Sequence, residues 1–232
     1  MVKRFYKTVT VEKGDTGFKV LCDNKPLKCG ATKDLIAPNE VLAKMLAAEW
    51  DGQQENIDLK KMPVTDFVSG LNGLDENVRA KLIEDSIGFI DTDVLFYRAA
   101  YPASLIERQN QSWDKVLTWA SNIFGVSFQV TNTVNPVHQS EKTLSAVSEA
   151  LKALSDFDLL CFYKFSSDTT SVLLGLAVIN GFLSAQEAFN VSRLEEDFQN
   201  EFWGKDSEAG MARNNILNDI LLTEQIFKTE QK

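Results

Sequence analysis

The amino-acid sequence predicts an α+β protein, with a small β-rich N-terminal domain carrying one helix over residues 1–62 and an α-helical bundle domain over residues 63–232. Three observations predict it. Apolar and polar residues alternate through Phe5 to Glu12 and resume at Phe18 to Cys22, with the turn formers Gly14-Asp15-Thr16-Gly17 between them. After Pro38 the apolar period changes to three and four. Beyond residue 65 almost every stretch keeps that helical period.

Taken in order, the first hairpin is followed by a second turn signal at Asp23-Asn24 and short strands near Lys25 to Lys28 and Leu35-Ile36. Asn39 is placed to cap a helix in which Val41, Leu42, Met45, Leu46 and Trp50 share one face, ending at Asp51-Gly52. Gln53 to Lys61 is polar and predicts a loop, and Met62-Pro63-Val64-Thr65 predicts an extended entry to a helix capped by Thr65. Helical pieces follow at Asp75 to Gly88, Thr92 to Ala99 and Ser104 to Gly125, the last with Ser112 or Asp114 available to cap a fresh start. Val126 to Val130 is the one strand-like interlude, ahead of an irregular loop through Pro136 and His138. Glu141 to Leu154, Phe157 to Phe165, Thr170 to Asn180 and Ser207 to Phe227 complete the helices.

The most informative stretch is Ser184 to Ala209. Ser184 and Glu187 stand three apart, as a capping box requires, and predict a helix that Gly204 closes in the left-handed conformation. At 3.6 residues per turn Ala188, Val191, Leu194, Phe198 and Phe202 form an apolar stripe, and Phe189, Ser192, Glu196, Gln199 and Trp203 a row beside it. Glu195 falls on the edge of the stripe, where a carboxylate is costly to desolvate without a donor, so it needs a cation or a partner that covers it. The stretch reads either as an amphipathic core helix with a solvated acidic face or as a binding face.

Composition narrows the function classes. The chain has 232 residues, 44% hydrophobic and 25% charged, enough for one large or two small globular domains. The longest apolar run, Val172 to Leu183, is broken by Asn180 and Gly181 and falls short of the roughly 20 residues that span a bilayer, so no membrane insertion is expected. The start has neither a signal-peptide core nor a transit helix, which predicts synthesis and residence in one compartment. Cys22, Cys29 and Cys161 form no C-x-x-C and read as small buried apolar residues of a reducing compartment. The sequons at Asn110 and Asn190 fall in predicted helices and read as coincidental. Net charge is -9, and residues 1–36 carry eight Lys or Arg against four Asp or Glu, +4, leaving -13 on the remainder. An acidic body lacks the basic stripe that a nucleic-acid binder uses for counterion release.

Chemistry is sparse. With His138 as the one histidine, a His-based zinc site, a Ser-His-Asp triad and a Cys-His dyad all lack their parts. Neither G-x-x-x-x-G-K-[ST] nor a strand-G-x-G-x-x-G-helix occurs, so no nucleotide cofactor is expected. Asp91 and Asp93 could ligate a metal, though two acids at a helix start are better explained as caps. Arg98, in a mostly apolar predicted helix, needs a carboxylate, with Glu195, Asp93 and Glu49 as candidates. Glu195 with Glu196 would suit a hydrolase using acidic residues of the bundle, but neighbours on a helix point about 100° apart and do not flank one bond.

Six blocks then occur in one order: Glu49-Trp50-Asp51; Met62 to Thr65; Thr92 to Ala99; Pro102, Leu105 and Gln109 leading to Trp113-Asp114; Leu176 to Gly181; and Ser192 to Ala209. Together the sequence resembles the ATP-twelve assembly chaperones, which bind the alpha subunit of the catalytic head of the F-type ATP synthase in mitochondria and some bacteria. The chain departs from that pattern at Lys25 to Gly30, at Lys115 and at Asp66 to Leu74.

The resemblance implies a small N-terminal α/β domain, a larger C-terminal orthogonal helical bundle, and a function without catalysis, cofactor or small-molecule substrate. It implies a cytoplasmic protein of bacterial form, or a matrix protein if the source is eukaryotic. The expected partner is the unassembled alpha subunit, whose exposed beta-facing surface would aggregate if left bare. The expected partner-binding residues are Glu195, Glu196, Gln199, Trp203, Arg98, Asp93 and Trp50, with either Glu bonding the client or Glu195 orienting Arg98 and shaping the surface indirectly. Trp50 is expected to anchor packing between the domains rather than touch the client.

Overall fold

The computed structural model describes residues 2–133, 135–203 and 207–231, with the side chains of 203 and 207–209 outside that description. The chain forms two compact units, Met1–Val78 with Gln225–Lys232, and Arg79–Glu224. Compactness groups residues 63–78 and the last residues with the first unit, which differs from the partition at 62/63 expected from sequence.

In the first unit the sheet is organised on β3 (Phe18–Cys22). It pairs antiparallel with β2 (Val9–Lys13) along its whole length, from Val9 opposite Cys22 to Lys13 opposite Phe18. Its other edge takes β4 (Lys25–Pro26) at one end and, later in the chain, Ile36–Ala37 at the other. Period-two alternation puts Val20 and Cys22 on one face, and both are buried. Helix α1 (Glu40–Asp51) lies against β2 and β3 and buries Leu42, Ala43 and Leu46, so sheet and helix share one core. Burial pushes the Cys22 thiol up to about 11, in keeping with an inert core cysteine. Gly17 makes one contact possible: a Cβ there would stand 2.6 Å from the Ala37 carbonyl oxygen.

The expected strand at Phe5 to Glu12 begins only at Val9. The Lys7 and Thr8 amides donate instead to the Asp23 carboxylate, at 3.0 and 2.9 Å, which replaces a neighbouring strand. The loop at 53–61 holds a two-residue strand, Asn56–Ile57, paired with β1 (Val2–Lys3). Helix α2 (Pro63–Asn72) is not capped by Thr65. Pro63 occupies its first turn, where its fixed φ suits the helix, and the Glu49 carboxylate accepts from the Val64 and Thr65 amides at 2.6 and 2.8 Å. Burial raises the Glu49 pKa in spite of these donors.

The second unit begins within α3 (Glu76–Gly88) and contains α4 (Ala103–Phe124), α5 (Glu141–Lys152), α6 (Asp156–Thr169), α7 (Val172–Ile179), α8 (Ala185–Ser192), α9 (Leu194–Trp203) and most of α10 (Ser207–Phe227). Every residue from Val172 to Val178 is buried, so α7 is the apolar rod that the others cover. Gly175 lets α6 approach it: a Cβ would meet the Ser166 amide nitrogen at 3.0 Å and the Phe162 ring at 3.1 Å. The protein is thus α+β, with a small β region followed by a helical part.

Three local expectations change. Thr92 to Ala99 is not a helix but a 3-10 turn at Val94–Phe96 after another at Ile90–Thr92. Asp93 takes an extended ψ of 126° between them, and beyond the second turn Arg98 N donates to Thr131 O, drawing the chain straight. Val126 to Val130 forms no strand, and the pairing there is a single bridge between Tyr97 and Thr131. Helix α4 runs unbroken through Ser112-Trp113-Asp114, because Trp113 continues the buried row Leu105, Gln109, Val116 and Ala120 while Ser112 and Asp114 face outward.

Candidate functional site, a polar face on the helical unit

The expected single helix from Ser184 is two. The capping box forms as the sequence predicts, with the Glu187 amide donating to Ser184 Oγ and the Ser184 amide to the Glu187 carboxylate. After Ser192 one residue, Arg193, leaves helical geometry at φ -102°, ψ 14°. The Ser192 hydroxyl donates back to Phe189 O, and Arg193 reaches the Asp168 carbonyl at 3.0 Å, so both side chains favour the break. The break re-sorts the stripe: Phe189 and Ser192 are buried, whereas Val191 and Leu194 are only half-buried. Phe198 keeps its place, and Phe202 is exposed.

Glu195, in the first turn of α9, meets Gln109 of α4. Gln109 is wholly buried, its carbonyl accepts the Ala99 amide at 2.9 Å, and its amide donates to the Glu195 carboxylate at 2.5 Å. Burial raises the Glu195 pKa and the Gln109 hydrogen bond opposes it. Four residues along α4, the Trp113 indole N–H donates to Val191 O at 2.9 Å. Together these bonds seat the joint between α8 and α9 on α4.

Arg98 pairs with none of its expected carboxylates. Its guanidinium bonds Asp114 at 2.8 Å and lies over the Trp113 ring at 5.1 Å, while Nη1 is buried without a hydrogen-bond partner among the described residues. The reason lies in the lost helix at 92–99, since the extended chain turns Arg98 toward α4 instead of α9. Asp93 is 1% exposed, and its oxygens accept from Leu95 N, Ser171 Oγ and Leu173 N at 3.0, 2.8 and 3.0 Å. Burial pushes its pKa up to about 6. It therefore caps both the Val94–Phe96 turn and α7. Asp91 turns elsewhere, accepting from Gln139 N at 3.0 Å and lying 2.8 Å from His138 Nδ1, so the two acids do not converge.

On the outer side, Arg213 of α10 lies 2.9 Å from Asp197 and 3.5 Å from Glu196, and Arg108 of α4 holds Glu201 by two bonds of 2.6 and 2.8 Å. Gln199 is exposed. The Trp203 side chain and Gly204 lie outside the described residues. Trp50, in the first unit, donates to Thr65 Oγ1 at 3.0 Å and stands 5.7 Å from the Tyr6 ring. The sequence reading missed Gln109, Asp114, Arg108 and Arg213 as contact residues. Only Gln109 left a signal, a carboxamide in the middle of an otherwise apolar row.

The arrangement can accept and donate hydrogen bonds along α9. Among the described residues no group of three His, Cys, Asp or Glu side chains could hold a metal, and no helix is long and apolar enough to cross a membrane.

The family model described as ATP12 chaperone protein matches residues 3–121. The chain is similar over 98% of its length to the crystal structure of Atp12 from Paracoccus denitrificans, which it covers to 97% at 31% identity and a TM-score of 0.87. It is similar over 97% of its length to a solved chaperone candidate from Agrobacterium tumefaciens, covered to 85% at 36% identity and a TM-score of 0.88. A mitochondrial Atp12 protein of Schizosaccharomyces pombe is 24% identical over 97% of this chain and 81% of its own length. This chain belongs to the ATP12 chaperone family.

Proposed function

We propose that this chaperone assists assembly of the catalytic head of the F-type ATP synthase by binding the unassembled alpha subunit. It covers the alpha surface that later packs against beta, and gives it up when beta arrives. The observation that carries this reading is the polar face on α9 of a chain that belongs to a chaperone family: Glu195, half-buried and with Gln109 as its one donor among the described residues, Gln199 open to solvent, and Glu196 beside them. Release requires a hold weaker than the final subunit contact, and a wet polar interface supplies that better than a dry one.

Glu195, Glu196 and Gln199 are assigned to the client-facing side, and the sequence adds Trp203 to the proposed binding set. Arg98 and Asp93 support it within the helical unit, through the Asp114 pair and the α7 cap, and Trp50 is assigned to packing within the first unit through Tyr6 and Thr65. A hydrolase would need two carboxylates converging on one pocket, whereas Glu195 is engaged by Gln109 and Glu196 faces Arg213.

The test is co-expression with the alpha and the beta subunits of the synthase, each separately. Retention of alpha in the soluble fraction, without a like effect on beta, is the expected result; equal retention of both, or of neither, defeats the proposal.

A further inference from the structure

Two depressions of about 560 and 620 Å³ adjoin along α4 and share Gln111, Lys115 and Phe182. The first runs between α4 and α8 from Arg108 to Leu194, beside the first turn of α9, and the second continues along α4 to Trp119 and Asn122. They make one groove whose walls mix carboxamides and hydroxyls with Val116, Leu183, Val191 and Leu194, and whose far end is aromatic. There Phe182, 39% exposed, stacks on Trp119 with ring centres 5.0 Å apart and planes within 10°.

The charges in the groove are not equivalent. Arg108 is held by Glu201, Asp114 by Arg98, and Glu187 by the Ser184 cap. Glu187 keeps its charge at the α8 end, while Lys115 is exposed and, among the described residues, makes no ion pair, so it is the unpaired cation of the lining. An occupant complementary to it brings a carboxylate.

Spacing gives the occupant its form. From Arg108 to Asn122 the groove follows fourteen helical steps of about 1.5 Å, roughly 21 Å, the length of about six extended residues. Lys115 and Trp119 are one turn apart, about 6 Å along the axis, close to the roughly 6.7 Å between side chains i and i+2 on one face of a strand. Asn110 and Asn122 carry donors and acceptors suited to a peptide backbone between such anchors. We infer that the groove binds an extended segment of the client in which an acidic side chain, facing Lys115, and a bulky apolar side chain, resting on Phe182 and Trp119, stand two residues apart. The inference rests on the proposed function, since the client is the alpha subunit, and it adds a second contact to the α9 face.

The test is co-expression of the full chain with the alpha subunit, reading soluble alpha retained per chaperone. Wild type is compared with Lys115→Glu, Lys115→Arg and Phe182→Ala, each checked for an unchanged thermal midpoint. Lys115→Glu is expected to cut retention roughly tenfold while Lys115→Arg keeps it, the size of one lost and reversed interface charge. Retention by Lys115→Glu at the wild-type level overturns the groove, whatever Phe182→Ala does. In parallel, a photo-reactive residue at Thr118, which lines the groove and is exposed, should cross-link alpha at a segment with the acidic-x-apolar pattern. A cross-link to an alpha segment without that pattern, or to a second copy of this chain, also overturns it. If wild type retains no alpha at all, the proposed function itself has failed, which is a separate outcome.

Discussion

Asp93 and Glu195 are both carboxylates drawn inside the helical unit, and burial raises the pKa of both. They differ in what the protein supplies. Asp93 is closed off and its two oxygens take three donors, two of them backbone amides at the start of a 3-10 turn and of α7. Among the described residues Glu195 has one donor, Gln109, and it keeps part of its surface open. A carboxylate saturated by caps fixes the chain; one left with free lone pairs has capacity for something arriving from outside. On the proposed function, that difference separates a group that shapes the face from a group available to a client.

The largest effect expected from breaking the comparison is at Asp93. Asp93→Ala leaves Ser171 and two buried amides without an acceptor and should cost about 3–5 kcal/mol in denaturant unfolding. Gln109→Leu removes the bridge from Ala99 to Glu195 at a fully buried position, and a loss of about 2–3 kcal/mol is expected by the same measurement. Glu195→Gln should change stability at neutral pH by no more than about 1 kcal/mol yet reduce retention of the client, and a large loss of stability would put Glu195 in the same class as Asp93.

A smaller effect sharpens the contrast further. Asp168, at the end of α6, has a buried oxygen with no hydrogen-bond partner among the described residues, and burial pushes its pKa up to about 6, with Asp219 adding to the rise and Lys164 and Arg193 opposing it. A raised folded pKa favours the neutral form, so this stabilising contribution is full below the ordinary value of 3.8 and lost as pH rises through about 6. Asp168→Asn should flatten the stability profile across that window. An unchanged profile would show that the carboxylate finds a donor in solution.

Much of the frame was legible. The turn chemistry around Gly14 to Gly17, the Asn39 cap and the Ser184–Glu187 box are local signals, and each produced the element it predicts. The errors arose where a distant group replaced a local one. Glu49 took the capping role expected of Thr65, Asp23 took the amides expected in a strand, and Asp93 with Thr131 unwound the expected helix at 92–99. The site suffered the same way: Asp114 claimed Arg98, and no spacing along the chain reveals that choice.

The clamps on α9 have an electrical consequence. The helix holds four acids and no base of its own, so it reads as a strip of negative charge. In the fold Arg213 answers Glu196 and Asp197, Arg108 answers Glu201, and burial biases Glu195 toward its uncharged form. Two arginines thus offset two of the four acids, and the strip stays negative. Ionic strength should therefore alter capture across it less than four bare acids would, and Lys115→Gln should remove the groove's share of any salt sensitivity.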